Sequence, residues 1–143
     1  MDKAKFIVIV GCGRLGGKLA DFFSIRGDSV VVLDANPDAF AVLSAEFSGF
    51  TVVGTASEVG ILRKARTGDA DLFIAATDND ALNIMSAKVA LVHFKVPRAI
   101  ARIFDPALED FCRELGLEVV SPVSATAECM LGEAIDFLEG AVG

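Results

Sequence analysis

The strongest constraint on the fold is an alternation. Short, nearly solid apolar runs take turns with longer segments of helical spacing along all 143 residues. A run that is apolar at every position has both faces covered, which marks a strand inside a parallel sheet. Such runs lie at residues 6–10, 30–33, 50–53, 72–76 and 99–103, with a shorter one at 118–120. Between them the spacing predicts a helix from the glycine-rich break at 11–16 to residue 23. Further helices are expected over 37–47, 58–66, 81–94, 105–115 and 124–138. Pro37 after Asn36 and Pro106 after Asp105 are helix starts, since proline suits the first helical position. Gly27, Gly49 and Gly116 mark the stops.

Six β-α units with short connections imply right-handed crossovers. The expected fold class is α/β: a Rossmann-like, doubly wound parallel sheet of six strands in the order 3-2-1-4-5-6, in three layers, plus a C-terminal helix. One domain is expected over 1–143, with its core at about 5–123 and the extra helix at about 124–139.

Composition excludes several classes. The chain is 53% hydrophobic, which suits a sheet covered on both sides and not disorder. Its net charge of −7 repels a nucleic-acid backbone, and without Tyr or Trp any stacking platform falls to Phe or His. No apolar stretch approaches the roughly 18 residues that span a bilayer, and no signal-peptide cleavage pattern follows the N-terminus. The expectation is a soluble, cytoplasmic protein with no nucleic acid and no direct membrane insertion. Cys12, Cys112 and Cys129 are far apart and odd in number, which argues against a disulfide framework or a zinc site. His93, the only histidine, reads as a solvated or capping residue, and no Ser/His/Asp set exists.

The chemistry-bearing motif is Gly11-Cys12-Gly13-Arg14-Leu15-Gly16. It follows an apolar strand and opens a helix, the setting in which G-x-G-x-x-G binds a pyrophosphate. There the first glycine makes the tight turn, the second admits phosphate to the backbone, and the third lets helix and strand pack. Asp34, with Ala35 beside it, lies about twenty residues on, at the end of the second run, where a carboxylate accepts hydrogen bonds from a ribose. Its charge disfavours a 2′-phosphate and therefore NADP. The other reading of the loop is a tight turn alone. Arg14 either pairs with phosphate oxygens or is solvated. Ala76, Thr77 and Asp78 stand at the end of the fourth run, across the switch point. There they reach a ribose or second nucleoside, or Asp78, Asn79 and Asp80 cap the next helix. Arg102 is a cation inside an apolar run and needs a partner: ligand phosphate, or a carboxylate such as Asp78.

These residues together resemble the TrkA-N or RCK-N family (regulator of potassium conductance, N-terminal). The resemblance runs through residues 7–16, 31–34, 52–56, 73–78 with Asn83, 100–102 with Asp105-Pro106, and Leu115-Gly116. It implies a non-catalytic, cytoplasmic subunit, peripheral to the inner membrane face, that regulates a Trk- or Ktr-type potassium transporter. It implies NAD or NADH as ligand, with ATP, ADP or AMP as the alternative. The family's ligand positions fall on Gly11, Gly13, Arg14, Leu15, Gly16, Asp34, Thr55, Ala56, Thr77 and Arg102. Thr55 stands where the family usually has aspartate, which removes one carboxylate from that loop. The second, C-terminal domain of many members has no counterpart in this sequence, so a separate C-terminal-domain protein is an expected partner.

The last helix carries Met130, Leu131, Ala134, Ile135 and Leu138 on one stripe. It either docks on the sheet or pairs with a neighbour. The resemblance favours crossing to a partner in a homodimer or larger ring. Two other functions compete with the regulatory subunit. One is an NAD-dependent oxidoreductase, disfavoured because no substrate domain accompanies the sheet. The other is a nucleotide sensor for another system.

Overall fold

The computed structural model describes residues 3–140, so the outermost residues of the expected 1–143 unit lie outside the described residues. Six strands form one sheet in the order β3-β2-β1-β4-β5-β6. They are β1 (Phe6–Val10), β2 (Ser29–Asp34), β3 (Phe50–Val53), β4 (Leu72–Ala75), β5 (Ala99–Arg102) and β6 (Glu118–Val120). Every neighbouring pair is parallel, and β1 lies in register against β2 on one side and β4 on the other. The helices are α1 (Arg14–Arg26), α2 (Val59–Lys64), α3 (Asp80–Val92), α4 (Glu109–Glu114) and α5 (Pro122–Leu138). This is the doubly wound α/β fold with its extra C-terminal helix.

The solid apolar runs have the expected cause. Alternate residues of the central strands β1, β2 and β4 feed two cores, whereas the edge strands β3 and β6 leave most of their side chains exposed or half-buried. Val8, Val10, Leu33, Phe73 and Ala101 pack with Leu62 of α2, Ala87 of α3 and Cys112 of α4. Ile7, Ile9, Val30, Val32 and Ile74 pack on the other face with Ala20 of α1, Phe40 and Phe47. Each β1 residue from Ile7 to Val10 is at most 2% exposed, so neither face tolerates a polar residue.

Helix ends follow local chemistry. α1 runs three residues past the expected stop at Phe23 and ends where Gly27 takes the left-handed conformation, at φ 104°. Asn79 caps α3, its Oδ1 accepting the Leu82 amide at 3.0 Å. Ser121 caps α5 in the same way through Ser124, and His93 closes α3 as an exposed C-terminal residue.

Three expected helices are corrected. The segment 37–47 is helical only over Pro37–Val42, as a 3₁₀ turn. Its α-helical continuation is lost because Asp21 of α1 accepts the Ser44 amide at 3.0 Å, and Leu43 is already extended. The 58–66 helix shrinks to α2, because Arg66 turns left-handed (φ 62°) and the Thr67 hydroxyl takes the Leu62 carbonyl. The 105–115 helix splits into a 3₁₀ turn, Pro106–Leu108, and α4. The last strand residues, Ala76 and Ile103, fall just outside β4 and β5.

The last helix settles one alternative. Residues 125–140 are all exposed, so α5 does not dock on its own sheet. Among the described residues no helix is long and apolar enough to cross a membrane.

Phe73 is fully buried at the centre of the larger core. Phe73→Ala is expected to cost about 3–5 kcal/mol of folding stability, read from urea unfolding at constant slope.

Candidate functional site

The chain crosses from one half of the sheet to the other between β3 and β4, so β1 and β4 are neighbours and a crevice opens at their carboxyl ends. A cleft of about 590 Å³ lies there. Gly11, Cys12, Gly13, Arg14, Leu15, Asp34, Ala35, Thr55, Ala56, Ala76, Thr77, Asp78 and Arg102 all line it. Gly16, the remaining expected site residue, lies beneath the loop and is buried.

The glycines shape the first wall. Gly11 sits at φ 98°, and a Cβ there meets the Thr77 amide nitrogen at 2.9 Å. At Gly16 a Cβ stands 1.7 Å from the Gly11 carbonyl oxygen, so any side chain drives α1 off β1. Gly13 differs, because a Cβ there meets nothing within 4 Å. It is the N-cap of α1 and offers no side-chain acceptor, and no acid occupies the first turn. The amides at the positive end of α1 are therefore free for an anion. Arg14 is exposed at the same rim and, among the described residues, has no ion-pair partner.

Asp34 holds this wall in place. Its Oδ2 accepts the Cys12 amide at 2.8 Å and its Oδ1 accepts the Asn36 amide at 2.9 Å. A carboxylate accepts about four hydrogen bonds, so acceptor capacity remains toward the cleft. The Cys12 side chain turns inward and is 1% exposed. Burial, then the charges of Asp34 and Asp21, push its thiol up to about 11, so it is a neutral packing group and only its backbone serves the loop.

The second wall comes from β4 and β5. The Ala76 amide donates to the Val10 carbonyl at 2.8 Å, fastening the two strand ends. In the polar run that follows, Asn79 caps α3 and Asp80 accepts the Phe104 and Asp105 amides at 2.8 and 3.1 Å. Asp78 stays exposed on the lining. Arg102 does not pair with Asp78. Its Nη2 donates to the Thr77 carbonyl, its guanidinium lies 4.6 Å from the Phe104 ring centroid, and its Nε is buried without a partner. Among the described residues that nitrogen has neither a hydrogen-bond partner nor exposed surface, so it is a cost of the local packing and not an open donor to the cleft. On the β3 side, the Thr55 hydroxyl pairs with that of Ser57 at 3.0 Å.

Some lining residues lay beyond the sequence reading. Asn36, Ala39, Gly54, Asn79 and Leu82 join the cleft. Asn36 and Asn79 had a signal as residues just before helix starts. Leu82 had none, because its apolar side chain reads as core.

The comparisons with known proteins now bear on this geometry. The TrkA-N domain profile matches residues 7–122. The chain belongs to the TrkA-N family. It is 38% identical over 125 residues to the Trk system potassium uptake protein TrkA of Streptomyces coelicolor, covering 87% of this chain and 56% of that protein. The chain thus spans about half the length of that curated relative. The TrkA-N domain of the inner membrane protein ybaL from Escherichia coli has the same fold, with a TM-score of 0.79 at 22% identity over 92% of this chain and 98% of that one. A GsuK channel bound to NAD matches with a TM-score of 0.78 at 25% identity, over 98% of this chain and 25% of that one.

The thiols give a direct check of this TrkA-N domain. Cys129 is exposed, whereas Cys12 and Cys112 are buried and burial raises both of their pKa values. Native protein at pH 8 is expected to be alkylated by iodoacetamide at Cys129 alone, as read by mass spectrometry. Cys12 ionises near 9 when unfolded and near 11 when folded, so the unfolded chain loses its proton first. Stability conferred through Cys12 is expected to fall as pH rises between those values, and Cys12→Ala to flatten that slope in alkaline urea titrations.

Proposed function

We propose that this chain is a nucleotide-binding regulatory module of a Trk- or Ktr-type potassium uptake system. It binds NAD(H), or ATP, ADP or AMP, and modulates a membrane potassium transporter from the cytoplasmic side without turning the nucleotide over. The observation that carries this reading is the convergence on one cleft of uncapped α1 amides, the Asp34 carboxylate and two arginines. The family membership and the NAD-bound GsuK channel support the same ligand class.

The residues fit such a ligand. The open space over Gly13 leaves room for phosphate against backbone amides. Arg14 adds a two-point cation at the rim, and Arg102 lines the cleft from the opposite side. Asp34 takes ribose hydroxyls and repels a 2′-phosphate. When bound, the nucleotide supplies the negative charge and the rigid span that link the two walls. Thr77 leads directly into α3 and Arg102 into the α4 segment, so a change at the second wall moves both helices.

The assembly side of the proposal rests on α5. From residue 125 on, α5 packs on nothing in its own chain, and helices in proteins draw most of their stability from packing an apolar face. Met130, Leu131 and Ile135 are 67%, 60% and 47% exposed. A second copy of the chain, as a homodimer or a step in a ring, covers this stripe. A separate protein carrying a C-terminal ligand domain is a further proposed partner.

Saturating NADH, ATP or ADP, at about 100-fold over Kd, is expected to add roughly 2.7 kcal/mol of stability and raise Tm by about 5–10 °C. Asp34→Ala weakens every adenosine ligand, and Arg14→Ala weakens ATP more than AMP. A melting curve unmoved by all of these nucleotides sinks the reading. Ile135→Asp is expected to shift the chain toward monomer in sedimentation velocity. An unchanged sedimentation coefficient removes α5 from the interface.

A further inference from the structure

Asn83 lies on α3, one turn past the N-cap, is fully buried and does not line the cleft. Its Oδ1 accepts the Thr77 amide at 3.0 Å and the Thr77 hydroxyl. Its Nδ2 donates to the Thr77 carbonyl and to the Arg102 carbonyl, both at 2.9 Å. A carboxamide has two N–H donors and an oxygen with two lone pairs, and here all four are used. The same Thr77 carbonyl accepts Arg102 Nη2, so the three residues form one closed network. Fully satisfied buried networks are rigid, and half-satisfied ones are costly.

Resting on the nucleotide reading above, we propose that Asn83 is the positioning residue for the β4–β5 half of the cleft. It touches no ligand. It fixes the backbone of Thr77 and of Arg102, both of which line the cleft, and so sets the distance between the ends of β4 and β5. The other half is fastened separately, through Asp34 and the Cys12 amide. In a doubly wound sheet the adenosine lies over β1 and β2, and a second nucleoside lies across the switch point. Asn83 therefore governs ligands long enough to reach the second wall and leaves short ones alone. No other residue type serves equally. Aspartate loses both donors and sets oxygen against two carbonyls, and glutamine displaces all four bonds by a methylene.

The test uses the full chain with NAD⁺ and AMP as calorimetric probes. Asn83→Asp is expected to raise the Kd for NAD⁺ about tenfold or more and that for AMP by less than about twofold. Asn83→Ser, which keeps one donor and one acceptor, shows the same split between the probes if the aspartate variant does not fold. Equal losses for both probes, or an unchanged NAD⁺ affinity, overturn the proposal while leaving the nucleotide reading intact. Failure of the wild-type chain to bind either probe overturns that reading and this proposal with it.

Discussion

The cleft depends on the bond from the Cys12 amide to the Asp34 carboxylate. It joins the loop after β1 to the end of β2 at 2.8 Å, and it fixes which way the remaining loop amides point. A charged acceptor makes such a bond roughly twice as strong as a neutral one. It also places a negative charge at the rim of a site proposed for an anion. On the proposed reading that is workable, because the carboxylate takes the sugar while the helix end takes the phosphate. The opposite wall is fastened by the Val10 carbonyl and the Asn83 carboxamide, with the Arg102 guanidinium on the Thr77 carbonyl and the Asp80 carboxylate on the Phe104 and Asp105 amides.

Much of the fold was legible because both sheet faces are covered. The solid run reported β1 to the residue, β3 and β6 were placed to the residue although these edge strands are largely exposed, and the strand order followed from crossover handedness. The segment after β2 was misread because Asn36-Pro37 is a sound helix start. What stops the helix is Asp21, 23 positions away from the Ser44 amide it captures. No local pattern carries such a contact. Helix ends at Arg66 and Pro106 failed for a related reason, since a left-handed residue or a 3₁₀ turn leaves the apolar spacing intact.

The first wall of the cleft was legible because its chemistry is backbone chemistry, written in glycines and one acid at fixed spacing. The second wall was legible only in part. Arg102 stood out as a cation in an apolar run, yet its partner is the Thr77 carbonyl and not the Asp78 side chain. A main-chain acceptor leaves no trace in residue identity. Asn83 is the same case from the other side: its four partners are one hydroxyl and three backbone groups, so its importance shows only once the chain is folded. The fate of α5 was open because an apolar stripe is the same whether it meets its own sheet or a neighbour. The exposure of residues 125–140 excludes the first.

Charge sets the class of ligand that such a cleft accepts. The chain carries a net −7, so its long-range field repels anions. Within the cleft, uncapped amides, Arg14 and Arg102 place positive groups beside the carboxylates of Asp34 and Asp78. At physiological salt the screening length is about 8 Å, so the distant acids act weakly on a small anion already inside. A polyanion has no such shelter, because its phosphates extend over the acidic surface beyond the cleft. On the proposed reading, local attraction within global repulsion favours a small nucleotide over a nucleic acid.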